Sequence, residues 1–212
     1  MFMYLYNDSK KENIPEAMKA NNNWVLWYPF KRLLGQVNKH VLNQYGTIDK
    51  SGIFNFTYHF FPFEEVSQLV SKYEGTGLGY CLSFTDDIIG IDLDHIPSGF
   101  LSCQTESEKL AYSVLDNARL HNAYIEKSFS GKGFHIYGSC SKKMKEELFL
   151  RSNYGAIYSI GVEIYFAGVY LTVSGETVNK GWNNIDSVVS YALTCTDKIN
   201  QSSNFSSSFC YF

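Results

Sequence analysis

Ile89-Gly90-Ile91-Asp92-Leu93-Asp94-His95 alternates apolar and acidic residues. Successive side chains of a β-strand point to opposite faces, so Asp92 and Asp94 share one face while Ile91 and Leu93 look into a core. Two carboxylates roughly 7 Å apart along a strand repel each other unless a cation lies between them. A strand-borne Asp-x-Asp is therefore a seat for Mg2+ or Mn2+, which prefer carboxylate oxygens. The plainer alternative is a strand end that runs into an acidic loop.

Two further segments repeat the pattern. In Phe134-His135-Ile136-Tyr137, Phe134 and Ile136 read as core, and His135 and Tyr137 point the other way. Ser130-Gly131-Lys132-Gly133 precedes them, a turn rich in backbone N–H groups with one cation, able to hold a phosphate or simply to close a hairpin. In Val162-Glu163-Ile164-Tyr165-Phe166, Glu163 and Tyr165 lie opposite the face of Val162, Ile164 and Phe166, as they also would on a solvated edge strand. If the three strands are neighbours, Asp92, Asp94, Glu163 and His135 converge on one open surface. Three carboxylates can hold two divalent ions about 3.5–4 Å apart, a geometry that clamps the attacking and leaving oxygens of phosphoryl transfer.

Outward from this centre the chain reads as mixed α and β. Strands are expected at 24–30, 78–84, 88–93, 123–129, 134–138, 162–166 and 170–173, with a polar hairpin region at 39–48. Thr85-Asp86-Asp87 is a hairpin signal between the second and third of these strands. Helices are expected at 14–20, 62–73 and 142–149. Two more carry apolar stripes: Leu110, Ala111, Val114, Leu115 and Ala118 after the capping box Thr105-x-x-Glu108, and Ile185, Val188, Val189 and Leu193 after a cap at Asn183 or Asn184. The expected class is α+β, an antiparallel sheet with helices packed against it. Residues 1–196 read as folded, and the Ser-rich stretch in 197–212 as a tail or linker.

The composition bounds what such a surface can do. The chain has 212 residues, 45% hydrophobic and 17% aromatic, with only 18% charged, which excludes disorder and a long coiled coil. No apolar run reaches the roughly 18 residues of a membrane span, and the start lacks a signal-peptide pattern, so a cytoplasmic protein without membrane contact is expected. Five widely spaced cysteines with no CxxC argue against zinc and against a disulfide framework. A net charge of -3 argues against coating nucleic acid by bulk charge. One local basic zone stands out, Lys127, Lys132, Lys142, Lys143, Lys145 and Arg151 against Glu146 and Glu147, interleaved with Phe129, Phe134, Tyr137, Phe149 and Tyr154. Such a zone suits single-stranded nucleic acid, and a solvated helix face over 142–147 would look the same.

In order, spacing and context these motifs resemble the archaeo-eukaryotic primase superfamily, most of all the primase–polymerase domain of phages, plasmids and other mobile elements. Ile89 to His95 is similar to its first metal motif. Glu126-Lys127-Ser128-Phe129-Ser130-Gly131-Lys132-Gly133-Phe134-His135-Ile136 is similar to its nucleotide-binding histidine strand. Gly161-Val162-Glu163-Ile164-Tyr165 with Leu171-Thr172-Val173-Ser174-Gly175 is similar to its third motif. The likeness covers about residues 20–180 and includes an N-terminal Trp and Lys segment between Trp24 and Lys39. It implies a modified RNA-recognition-like catalytic sheet at about 86–196 beside an N-terminal αβ unit at about 1–85. It also implies template-directed nucleotidyl transfer with two Mg2+ or Mn2+ ions, from NTP or dNTP onto a 3′-hydroxyl. Asp92, Asp94 and Glu163 would be the metal ligands and, with His135, the catalytic set. His135, Ser130, Gly131, Lys132 and Gly133 would bind the nucleotide, and Lys127, Lys142, Lys143, Lys145 and Arg151 the single-stranded DNA template. The helicase that often follows this domain would be a separate replicative partner.

The sequence departs from the family pattern in places. Gly133 stands where a small polar residue, often Ser, is usual, Glu163 where many relatives have Asp, and Val169-Tyr170 where an Arg often precedes the aromatic. The missing Arg and low basic charge keep a second possibility open, a non-catalytic or weakly catalytic replication-initiator or single-strand-binding module. A two-metal nuclease is a third, which leaves the turn before His135 without a role.

Overall fold

In the computed structural model, which describes residues 8–31, 37–49, 59–97, 99–152 and 154–207, the apolar stripes become five helices and the alternating runs ten strands. The helices are α1 (Glu16–Lys19), α2 (Phe63–Lys72), α3 (Glu106–Leu120), α4 (Lys142–Arg151) and α5 (Asp186–Ser207). The strands are β1 (Trp24–Lys31), β2 (Val37–Leu42), β3 (Gly77–Cys81), β4 (Ile88–Leu93), β5 (Tyr124–Lys127), β6 (Phe134–Ser139), β7 (Ala156–Ser159), β8 (Val162–Tyr165), β9 (Tyr170–Val173) and β10 (Thr177–Lys180). Local chemistry starts the helices. Thr105 accepts from the Glu108 N–H at 3.2 Å while the Glu108 carboxylate accepts from the Thr105 N–H at 3.1 Å, and Ser141 caps α4 through the Met144 N–H. Pro62, with φ near −60°, leads into α2.

The strands form two antiparallel sheets, ordered β2–β1–β3–β9 and β10–β5–β6–β4–β8–β7. One face of the larger sheet offers Ile89, Ile91, Leu93, Ile125, Ile136, Val162 and Ile164. Against it lie Val114 and Leu115 of α3, Met144 and Leu148 of α4, and Val188, Val189 and Leu193 of α5. The other face carries Tyr124, Tyr137 and Tyr165, which join Tyr80, Leu82 and Leu171 and, through Trp24 and Leu26, the apolar side of α2. Gly90 makes this approach possible, because a Cβ there would lie 2.6 Å from Leu171 Cδ1. Among the described residues no helix is long and apolar enough to cross a membrane.

Three expectations need correction. Thr85-Asp86-Asp87 does not close a hairpin: β3 pairs with β1 and β9, and β4 with β6 and β8. Asp86 turns inward instead, accepting from Asn23 Nδ2, Tyr80 Oη and the Ile88 N–H, each at 3.0 Å, and the chain passes from one sheet to the other. The unit expected at 1–85 is not closed by itself, since β9 completes its sheet by pairing Leu78 with Val173 and Tyr80 with Leu171. The Ser-rich stretch is not a tail from 197 on, because α5 continues to Ser207. Its buried stripe reaches Ile199, and extending a nucleated helix adds one hydrogen bond per residue ordered.

Candidate active site

Strand register assembles the site. Glu126 of β5 stands opposite His135 of β6, His135 opposite Asp92 of β4, Asp92 opposite Glu163 of β8, and Glu163 opposite Tyr158 of β7. Five side chains thus form one row across five strands, on the face turned away from α3 and α5. Asp92, His135 and Glu163, separate in sequence, are brought together here. Asp94 lies one residue past β4 in solvent, its N–H bonded to the Gly161 carbonyl at 3.2 Å.

His135 is fully buried between two carboxylates. Its Nε2 lies 3.6 Å from Asp92 Oδ1, and its Nδ1 lies 3.4 Å from Glu126 Oε1. Burial alone would pull its pKa down; Asp92 and the Glu126 hydrogen bond outweigh that and raise it. Burial pushes the Asp92 carboxyl above its usual range, and the Asp94 charge adds to this while His135 and Lys39 oppose it. Asp92 Oδ1 is buried with no hydrogen-bond partner. Glu163 is likewise raised, first by burial, with the charges of Asp92 and Asp94 adding and the Tyr165 hydroxyl, which donates to it, opposing. Among the described residues no three carboxylate, imidazole or thiol groups are drawn around one point.

The Ser130–Gly133 turn joins β5 to β6 and leans on the end of β4. A Cβ on Gly133 would collide with the Leu93 carbonyl, so only glycine brings the turn this close to Asp94. Ser130, Gly131 and Lys132 are exposed. Two of the amides expected to face a phosphate are occupied: the Gly131 N–H donates to the Ser128 carbonyl at 2.9 Å and the Lys132 N–H to Ser130 Oγ at 3.2 Å. Gly133→Ser, which restores the residue common in the family, is expected to cost about 1–3 kcal/mol by overpacking, a fall of about 2–12 °C in Tm. Thermal unfolding measures this, and an unchanged Tm would contradict the contact.

The basic zone divides. Lys145 is corrected from a nucleic-acid contact to a buried structural cation. Its Nζ donates to the Ser83 carbonyl at 2.5 Å and to the Asp86 carbonyl and Oδ1 at 2.8 Å, because it falls between Met144 and Leu148 on the buried stripe of α4. Lys127 pairs with Glu176 at 3.2 Å, and Arg151 with Asp197 at 3.3 Å. Lys142 and Lys143 are exposed, on a helix that packs against the sheet face opposite the acid row.

Two residues were missed by sequence reasoning. Glu126 carried the same signal as Glu163, an acid within an apolar strand. Lys39 was noted only as the end of the Trp and Lys segment and given no site role, since only the pairing of β2 with β1 brings it near. Its Nζ lies 6.0 Å from the Trp27 ring, which meets Phe129 edge-on at 4.7 Å beside the Ser130 turn. Burial lowers the Lys39 pKa, and the charges of Asp92 and Asp94 oppose the shift. Lys39 is exposed to solvent.

No protein-family model matches the chain, and no curated protein matches it.

Proposed function

We propose that the chain is a primase–polymerase: a template-directed nucleotidyltransferase that joins an NTP or dNTP to a 3′-hydroxyl on single-stranded DNA. The observation that carries this reading is the row Glu126–His135–Asp92–Glu163 on one sheet face with Asp94 at its open end, four carboxylates around one histidine. The strand order β8–β4–β6–β5, with α3 and α4 in the connections, is a β-α-β-β-α-β arrangement and supports an RNA-recognition-like catalytic sheet.

Asp92, Asp94 and Glu163 would hold Mg2+ or Mn2+. All their donor atoms are hard carboxylate oxygens, and the buried Asp92 Oδ1, which accepts no hydrogen bond, suits such a cation. When bound, two such ions supply charge neutralisation at the attacking and leaving oxygens. The protein's own part is positioning. His135 meets the incoming triphosphate from the floor of the row, Lys132 from the turn and Lys39 from the facing sheet, and the crossing sheet at Leu171 closes the row on one side. A separate replicative helicase would open the duplex.

A second reading, a replication-initiator or single-strand-binding module without efficient chemistry, is favoured by the occupied turn amides and the carboxylate partners of Lys127 and Arg151. Incorporation of labelled nucleotide on a primed single-stranded template with Mn2+ separates the two. Incorporation is expected from the isolated chain; strand binding without incorporation favours the second reading.

A further inference from the structure

We infer that Glu126 is the positioning residue of this site: it fixes the ring of His135 so that Nε2 faces Asp92, and it ties that ring to the turn between β9 and β10. The inference rests on His135 being the nucleotide-facing residue, as proposed above.

Glu126 is fully buried, three donors converge on its carboxylate, and the His135 ring faces it. Oε1 accepts from the Ser174 N–H at 2.9 Å and lies 3.4 Å from His135 Nδ1; Oε2 accepts from the Gly175 N–H at 2.9 Å and the Tyr124 hydroxyl at 3.0 Å. Donors on both oxygens require an acceptor at both, which a carboxylate is and an amide is not, and beside such an acceptor the His135 ring presents Nδ1–H. The turn is shaped for the task. Gly175 has φ +65°, and a Cβ there would lie 2.5 Å from the Lys10 carbonyl, so glycine alone presents its N–H in this direction.

With Nδ1 held by Glu126, the ring nitrogen left to the acid row is Nε2, beside Asp92. His135 stands between Glu126 and Asp92 in the row, so Glu126 acts through the histidine and touches neither a metal nor a substrate. A buried imidazole oriented by a carboxylate on its far nitrogen is a recurrent device for presenting the near one.

The test begins with the native chain labelled with 15N at histidine. In the free protein, His135 Nδ1 is expected to be protonated and hydrogen-bonded. Addition of Mg2+ and a non-hydrolysable nucleoside triphosphate is expected to move the Nε2 signal and leave Nδ1 in place. An unprotonated Nδ1, or a ligand-dependent shift at Nδ1 rather than Nε2, would overturn the inference. If no nucleotide binds, the proposed function fails, while the Nδ1 signal of the free protein still decides the orientation. Glu126→Gln is expected to lower nucleotide affinity about tenfold, and to add nothing in a His135→Ala background. An equal loss in both backgrounds would mean that Glu126 serves only the fold. Should Glu126→Gln not fold, the spectra of the native chain stand as the deciding measurement.

Discussion

Replacing Asp92 by Asn is expected to lower Mn2+-dependent nucleotide incorporation about a thousandfold: several kcal/mol of charge stabilisation leave with the ligand, and each 1.4 kcal/mol is a factor of ten. The fold is expected to survive. Asp92 and Glu163 have raised pKa values, burial being the main cause. A carboxyl whose folded pKa is raised contributes stability below its unfolded pKa, and that contribution is lost as pH rises through the folded pKa. At neutral pH, Asp92→Asn without cations is therefore expected to unfold at a higher temperature than the native chain, the difference shrinking on acidification. Divalent cation reverses the order. At a hundredfold excess over Kd it stabilises the native chain by about 2.7 kcal/mol, roughly 5–11 °C, and leaves Asp92→Asn nearly unmoved. Calorimetry with and without Mn2+, paired with an incorporation assay, reads both effects. Equal Mn2+ shifts in the two proteins, or undiminished incorporation by the variant, would contradict the assignment of Asp92.

Lys145→Ala is expected to be the most damaging change outside the site. It strands the Asp86 carboxylate, itself nearly buried, and frees two carbonyls that Lys145 satisfies. Removing one partner of a buried pair costs about 3–5 kcal/mol, a drop of about 6–20 °C in Tm. Lys142→Ala and Lys143→Ala, on the solvated side of the same helix, are expected to stay within about 0.5 kcal/mol of the native chain. Urea titration of the three variants checks this, and native stability in Lys145→Ala would return Lys145 to the pool of surface cations.

How far the fold could be read in advance depended on whether the deciding signal was local. Alternation alone put Asp92, His135 and Glu163 on polar faces, and it holds because Ile91, Ile136 and Ile164 occupy the opposite face. Which strands are neighbours was not local, and the register that aligns the row comes from pairing over long separations. Asp86 looked like a turn residue because its true partner, Lys145, lies 59 positions away. Lys145 looked solvated because its neighbours Lys142, Lys143, Glu146 and Glu147 are. Its place between Met144 and Leu148 was the available clue. Glu126 was legible by the logic applied to Glu163. Lys39 was not, since its relation to the acids exists only after β2 folds onto β1.

The most direct measurement is the anomalous scattering of Mn2+ in crystals of the native chain grown with a non-hydrolysable nucleoside triphosphate. Manganese is expected among the carboxylates of Asp92, Asp94 and Glu163, with the triphosphate reaching His135 Nε2. Manganese and nucleotide bound away from these four residues would contradict the proposed site.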